Sequence, residues 1–503
     1  MSQQLRFAQV FFSYPDSPQE LFEGIGFNLD VGWTGIVGTN GVGKSTILRL
    51  AAGELQPTAG TVLAPEPRVY AVQGAETPPA HWEEFMNDWE PPALELKERL
   101  AIDYDWLFRW RTLSQGERKR SQLAVALWLA PALLAVDEPT NHLDAPTREL
   151  IARGLELYDG VGLLVSHDRE LLDRLCRHTL IVSEDGVLLR PGGYTKAREE
   201  EAREVEEARR EQQDARRSQD RLLKEYQRRT AKASERSSGF SKAKLSWKDS
   251  DGRAAIDGAR ITGKDKRPGE LKRQLEKRVE RGEERLTATR GPIPVLSKAA
   301  GLVVRGAPAP GDELVHFEAG RILLGGDRWL EHPELTLRPT DRVRLQGRNG
   351  TGKSTLLRQI LARLDRARVP TLYLPQELEE EGRLRLRRRV EGLSKEELSR
   401  VMAAVHWLGS DPRRIMDAEE WSPGEARKLI FALGAVDQPA LYLLDEPTNH
   451  LDLPSILALE EALARVEAAI LLVSHELHFA ERISETSWLV EEGEEGACRL
   501  RLE

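Results

Sequence analysis

The stretch Leu133-Leu134-Ala135-Val136-Asp137-Glu138-Pro139-Thr140-Asn141-His142-Leu143-Asp144 decides the fold. Its apolar run reads as a buried parallel strand. The strand ends in two adjacent carboxylates and is stopped by a proline. In open α/β sheets, ligands bind at the carboxyl ends of the strands. Two acids there suit two roles: Asp137 can hold Mg²⁺, and Glu138 can orient and polarise a water. The stretch recurs as Leu441-Tyr442-Leu443-Leu444-Asp445-Glu446-Pro447-Thr448-Asn449-His450-Leu451-Asp452. A solvated loop would not repeat its wording almost letter for letter.

Upstream of the first copy, Gly38-Thr39-Asn40-Gly41-Val42-Gly43-Lys44-Ser45-Thr46 matches the phosphate-loop pattern G-x-x-x-x-G-K-[ST]. It follows a strand predicted over Thr34–Val37 and precedes a helix predicted over Ile47–Ala52. The glycines let backbone N–H groups close on phosphate oxygens, aided by the helix N-terminus. Lys44 can reach the β- and γ-phosphates, and Ser45 can ligate Mg²⁺. Gln73 ends a strand begun at Val69. Leu113-Ser114-Gln115-Gly116-Glu117 opens a helix predicted to reach about Ala130, with Ser114 as its cap and Gly116 open to a phosphate. Gly162 to Val165 is a further apolar strand, leading to His167.

The second half repeats this grammar with a phosphate loop at Gly347–Thr355, Gln376, Ser422-Pro423-Gly424-Glu425 and His475. The offsets are nearly constant: 353 − 44 = 309, 422 − 114 = 308, 445 − 137 = 308 and 475 − 167 = 308. This is duplication of a whole domain, with a period too long for a solenoid.

The 503 residues suit about three domains. Residues 1–35 alternate as an antiparallel β entry. The sequence lacks an apolar run long enough for a membrane span and a signal-type start, so a cytoplasmic protein is expected. Cys176 and Cys498 are the two cysteines, which excludes a disulfide framework or a cysteine zinc module. The net charge of −9 is unevenly spread. Residues 196–290 hold 28 Lys/Arg against 20 Asp/Glu, a net of +8, which leaves −9 − 8 = −17 elsewhere. A basic segment between acidic bodies points to a local polyanion contact.

In this order, these motifs resemble the ATP-binding cassette ATPases. The resemblance covers two cassettes, about 1–193 and 301–503. The repeated Glu-Pro-Thr-Asn-His-Leu-Asp and a charged linker over 194–300 resemble the ABC-F subfamily. The resemblance implies an α/β fold: two tandem P-loop NTPase domains joined by a long α-helical hairpin. It implies a monomer in which the cassettes pair and sandwich two ATP molecules head to tail with Mg²⁺. One site would use Gly38, Asn40, Gly41, Gly43, Lys44, Ser45, Thr46, Gln73, Asp137, Glu138 and His167, closed by Ser422 and Gly424. The other would use Gly347, Asn349, Gly350, Gly352, Lys353, Ser354, Thr355, Gln376, Asp445, Glu446 and His475, closed by Ser114 and Gly116. Ser45, Gln73 and Asp137, and Ser354, Gln376 and Asp445, would ligate the metal. Glu138 and Glu446 would position the water, and His167 and His475 would contact the γ-phosphate. Tyr14, with Phe12 as rival, would stack on adenine in the first cassette; Val315-His316-Phe317 is the candidate in the second. The usual signature Leu-Ser-Gly-Gly is altered to Gln115 in one copy and to Trp421 and Pro423 in the other. Proline lacks an N–H, which predicts a weaker Lys44 site.

The linker composition predicts a helix over 196–229, roughly 50 Å long, and a second over 267–288, forming an antiparallel hairpin. Between them, residues 228–248 hold seven Lys/Arg and one Glu, with Phe240 and Trp247 interleaved. That pattern suits phosphate contact and base stacking. The resemblance implies a partner: the ribosome, through rRNA and the P-site tRNA, in translation or in antibiotic protection. Two other readings compete. The ATPase subunit of a transporter would have no use for a basic hairpin, and a repair ATPase would need cysteine zinc modules. The 39 residues between Gln73 and Leu113 leave little room for an extra helical arm, and Trp82–Trp110 is expected to be an ordinary helical subdomain.

Overall fold

The computed structural model describes residues 4–15, 20–183, 185–239, 276–281, 283, 306–309, 311–493 and 497–503. The chain forms two compact units, residues 1–197 with 296–503, and residues 198–295.

In the first unit, each half carries a parallel sheet whose strand ends hold the motifs. The sheet of the first half runs in the order Arg68–Ala71, Leu133–Asp137, Val161–Val165, Gly32–Gly38, Cys176–Ser183, Gly186–Pro191. All neighbours are parallel except the last pair. The acidic strand and Val161–Val165 are buried at every residue, as their unbroken apolar runs demand. An antiparallel three-stranded sheet of Leu5–Phe12, Phe22–Leu29 and Ala59–Leu63 supplies the β entry expected near the start.

The second half is built differently at its edge. One eight-stranded sheet runs Gly320–Gly325, Arg328–His332, Ala497–Leu502, Thr486–Glu492, Arg342–Gly347, Ala469–Val473, Leu441–Asp445, Thr371–Leu374. The antiparallel entry strands join the main sheet here because Arg328–His332 pairs with the last strand, Ala497–Leu502.

Helices follow their local signals. The first phosphate-loop helix spans Lys44–Ala52, three residues earlier than the sequence suggests, because Gly43 caps it in the left-handed region at φ 101°. The helix after Ser114 spans Gln115–Trp128. Trp82–Asn87, Pro91–Arg99 and short 3₁₀ turns form the helical subdomain anticipated over Trp82–Trp110. Cys176 and Cys498 are buried and free.

Phe431 is fully buried in the helical core of the second half. Phe431→Ala should cost about 3–5 kcal/mol and lower that half's melting midpoint by roughly 6–20 °C in calorimetry. A shift below 3 °C would mean that the site collapses to refill the cavity.

The linker helix runs Tyr194–Gly239, longer than expected. Tyr194 is one of the largest fully buried side chains, and the Thr195 N–H donates to Asp173 Oδ1 at 2.8 Å, so the helix starts inside the first unit. In the second unit, Gln219 Nε2 donates to the Val279 carbonyl at 3.3 Å and Tyr226 OH to Glu276 Oε1 at 2.9 Å. Positions rise on one segment as they fall on the other, which is antiparallel pairing. Of the second predicted helix, residues 276–281 and 283 are described as helical. Phe240, Trp247 and the rest of 240–248 lie outside the described residues. No helix among the described residues is long and apolar enough to cross a membrane.

Candidate active sites

Both phosphate loops leave a parallel strand and enter a helix, as their sequence required. A Cβ on Gly43 would lie 2.5 Å from the Phe22 ring, and one on Gly352 would lie 2.4 Å from Leu324. With φ of 101° and 97°, neither position accepts another residue without displacing its neighbour. Lys44 Nζ donates to the carbonyls of Gly38 and Thr39 at 2.9 and 3.0 Å, and Lys353 Nζ to those of Gly347 and Arg348 at 2.7 and 2.8 Å. Burial lowers the pKa of both ammoniums, against the pull of Glu138 on Lys44 and of Glu446 on Lys353. A buried cation held over an amide-lined loop is a cradle for an anion.

The acidic strand ends are built alike in the two halves. Glu138 and Glu446 adopt positive φ, 46° and 49°. Such a conformation costs about 1–2 kcal/mol in a non-glycine residue and is held by its surroundings. Here the Glu138 N–H still donates to the Val165 carbonyl, and that of Glu446 to Val473, both at 2.8 Å. Each carboxylate is thereby turned toward the histidine at the end of the next strand. Glu138 Oε2 accepts from His167 N–H at 3.3 Å, and Glu446 Oε2 from His475 N–H at 3.2 Å. Each histidine Nε2 stands close to the other carboxylate oxygen, at 3.2 and 3.3 Å. Both Oε1 atoms are buried without a hydrogen-bond partner. Burial raises both glutamates above the usual carboxylate range and keeps both imidazoles neutral. A carboxylate poised near neutral pH with an unused buried oxygen is equipped to take a proton from water.

The helices after Ser114 and Ser422 begin with full capping boxes. Ser114 N–H donates to Glu117 at 2.7 Å and Glu117 N–H returns a bond to Ser114 Oγ at 3.2 Å; Ser422 and Glu425 repeat this at 2.9 and 3.3 Å. Five residues into each helix stands a buried cation that sequence reasoning did not single out. Lys119 Nζ donates to the carbonyls of Val72, Gln73 and Asp137, at 2.8, 3.2 and 3.4 Å. Arg427 donates to those of Gln376 and Glu446. Each cation ties the glutamine segment to the acidic strand end. Their offset, 427 − 119 = 308, matches the internal repeat and was the available signal.

Contacts then cross between the halves. Asn40 N–H donates to Asp452 Oδ2 at 2.8 Å, and Asn40 Nδ2 to the His450 carbonyl at 3.1 Å. His142 and His450 face each other with ring centroids 4.9 Å apart. A cavity of about 640 Å³ is lined by Lys353, Ser354, Thr355, Gln376, Asp445, Glu446, Asn349 and His475 of the second half and by Gln115, His142 and Arg148 of the first. Arg169 pairs with Glu476 at 3.1 Å and with Glu460 across the same interface.

Tyr14 is 37 % exposed, and its hydroxyl lies 2.9 Å from Thr46 Oγ1. Phe12 packs edge-on beneath it and is buried. In the second half, Phe317 is a core residue under Arg363, and Leu324 and Arg328 line the cavity instead.

The residues fit a nucleotide with magnesium. Among the described residues no group of three or more His, Cys, Asp and Glu could hold a metal alone. Mg²⁺ characteristically takes one or two carboxylates and completes its shell with phosphate oxygens and water. Asp445, hydrogen-bonded to Ser354, and Asp137 supply such a partial set.

A family model described as "ABC transporter" matches residues 22–141 and 330–449. The chain is 30% identical over 530 residues to the tylosin resistance ATP-binding protein TlrC of Streptomyces fradiae, covering 91% of this chain and 92% of that protein. It is 26% identical over 527 residues to the ribosome protection protein VmlR of Bacillus subtilis, covering 95% and 85%. Among solved structures, an archaeal ribosome recycling factor, aABCE1, in complex with the stalk protein aP1 superposes with a TM-score of 0.60 at 17% identity, covering 98% and 89% of the two chains. That likeness carries the fold.

Proposed function

Because this chain belongs to the ABC-F family of ATP-binding cassette ATPases, we propose that its two composite sites hydrolyse ATP and that the resulting closure acts on the ribosome. The observation that carries the reading of the sites is the cavity in which Lys353, Asp445 and Glu446 meet Gln115 and Arg148 of the other half. In this reading the cassettes, about 1–193 and 301–503, pair head to tail around two nucleotides. Lys44 and Lys353 bind the phosphates. Ser45 with Asp137, and Ser354 with Asp445, hold Mg²⁺, joined through their side chains by Gln73 and Gln376. The metal, when bound, neutralises phosphate charge. Glu138 and Glu446 take the proton of the attacking water, and His167 and His475 keep those carboxylates aimed. Tyr14 carries the adenine of the first site.

The names of the two relatives, ribosome protection protein and tylosin resistance ATP-binding protein, support ribosome binding with antibiotic protection as its outcome. The basic segment 228–248, on the linker over 194–300, is the proposed contact with rRNA and P-site tRNA, and the protein is placed in the cytoplasm. Co-sedimentation with ribosomes against membrane vesicles, with ATP, tests this. Recovery with membranes would instead favour a transporter subunit.

The two sites are unequal in this reading. Pro423 begins the helix assigned to the Lys44 site, whereas Gln115 lines the Lys353 cavity. Glu446→Gln should therefore lower steady-state ATP turnover more than Glu138→Gln. Equal losses in the two single variants would remove this asymmetry.

A further inference from the structure

We propose that Arg148 is a positioning residue supplied by the first half to the Lys353 site, and that among the described residues the Lys44 site has no equivalent. The inference rests on reading the Lys353 site as hydrolytic. Arg148 lies in the helix Ala145–Leu155, just after the loop Asn141–Asp144. Its guanidinium bridges the two halves. Nε donates to the Leu143 carbonyl of its own loop at 2.9 Å, and NH1 to the His475 carbonyl of the other half at 3.3 Å. Asp168 Oδ2 stands 3.7 Å from the same NH1 and keeps the charge in place. The side chain borders the cavity that holds Lys353, Asn349 and Glu446.

The residue it holds is the one that aims the carboxylate. His475 N–H donates to Glu446 Oε2 at 3.2 Å, and its Nε2 lies 3.0 Å from Asn349 Oδ1 in the phosphate loop. Its backbone makes the first contact directly and carries the imidazole that makes the second. Arg148 links that backbone to the opposite half, so the site is complete only when the halves are together. A planar fork can serve two carbonyls in fixed directions, which a lysine ammonium does less well.

The internal repeat places residue 456 opposite, since 148 + 308 = 456. That residue is Ile456, buried in the second half's own core. It offers no charge to the Lys44 site. There the second half instead reaches the phosphate loop directly, through Asp452 and the His450 carbonyl to Asn40. One half is held through its histidine and the other through its phosphate loop.

The experiment is ATP turnover of the full chain in two backgrounds. Glu138→Gln reports the Lys353 site, and Glu446→Gln reports the Lys44 site. Arg148→Ile and Arg148→Lys are added to each. A small misplacement of a reacting group can cost about 100-fold, so in the Glu138→Gln background Arg148→Ile should lower kcat about 10- to 100-fold with KM within about threefold. The loss should exceed that in the Glu446→Gln background by at least about fivefold, and Arg148→Lys should recover part of it. Equal losses in both backgrounds would show a general role in folding or closure and overturn the proposal. So would an unchanged kcat, or a change confined to KM. If the Glu138→Gln protein has no turnover before Arg148 is touched, the hydrolytic reading of the Lys353 site fails and takes the proposal with it. An active background that Arg148→Ile leaves unmoved overturns the proposal alone.

Discussion

Glu138→Gln combined with Glu446→Gln should lower ATP hydrolysis about 10²- to 10⁴-fold, the contribution of a positioned general base. Glutamine keeps the shape of glutamate and an oxygen for the His167 and His475 N–H groups, which now sit 3.3 and 3.2 Å from the carboxylates. It cannot take a proton from water. Both carboxyls are already pushed toward their neutral forms by burial. A neutral isostere therefore removes a desolvation cost, and the double variant should fold at least as well as the wild type. The lysines and glycines of both phosphate loops are untouched, so ATP should stay bound. With hydrolysis blocked, the closed protein should remain on ribosomes and slow growth when expressed. Single-turnover hydrolysis at the wild-type rate would show that neither glutamate is the base.

Deletion of residues 233–262 should abolish the cellular function while leaving basal ATPase largely intact, because no assigned nucleotide ligand lies within it. Residues 228–248 carry seven basic and one acidic side chain, 7 − 1 = +6, whereas the chain outside 196–290 carries −17. An acidic body is repelled by rRNA unless a local basic element offsets it. If that element neutralises about four to six phosphates, log K against log salt should fall with a slope of about −3 to −5. Stacking by Phe240 and Trp247 should add about 1–3 kcal/mol each. Ribosome co-sedimentation with ATP over a salt series, for wild type, the deletion, and Phe240→Ala with Trp247→Ala, reads both terms. An unchanged slope in the deletion would move the contact to the cassette surfaces.

Much of this protein is local and therefore legible without coordinates. A phosphate loop needs a strand before it, glycines at left-handed positions and a helix after it, all within about a dozen residues. The same holds for the acidic strand end, for the capping boxes written as Ser-x-x-Glu, and for the duplication behind them. The antiparallel sense of the linker also followed from composition and is carried by Gln219–Val279 and Tyr226–Glu276. Lys119 and Arg427 were within reach, since they obey the repeat, but a lone cation on a helix carries no sign that it will be buried on carbonyls.

Other features were settled by tertiary structure alone. The entry strands of the second half join its main sheet because Arg328–His332 meets Ala497–Leu502, residues about 170 apart. Exposure separates Tyr14 from Phe12, and burial removes Phe317 from the cavity. Asn40 on Asp452 and Arg148 on His475 join residues more than 300 positions apart. No periodicity links such pairs, because their meeting depends on how two folded surfaces pack. The sequence by itself determined which candidate motifs each half carries and in what order. Which groups cross to the other half, and that the crossing differs between the two sites, was decided by packing, because a pseudo-symmetric interface need not conserve side chains that bind no motif.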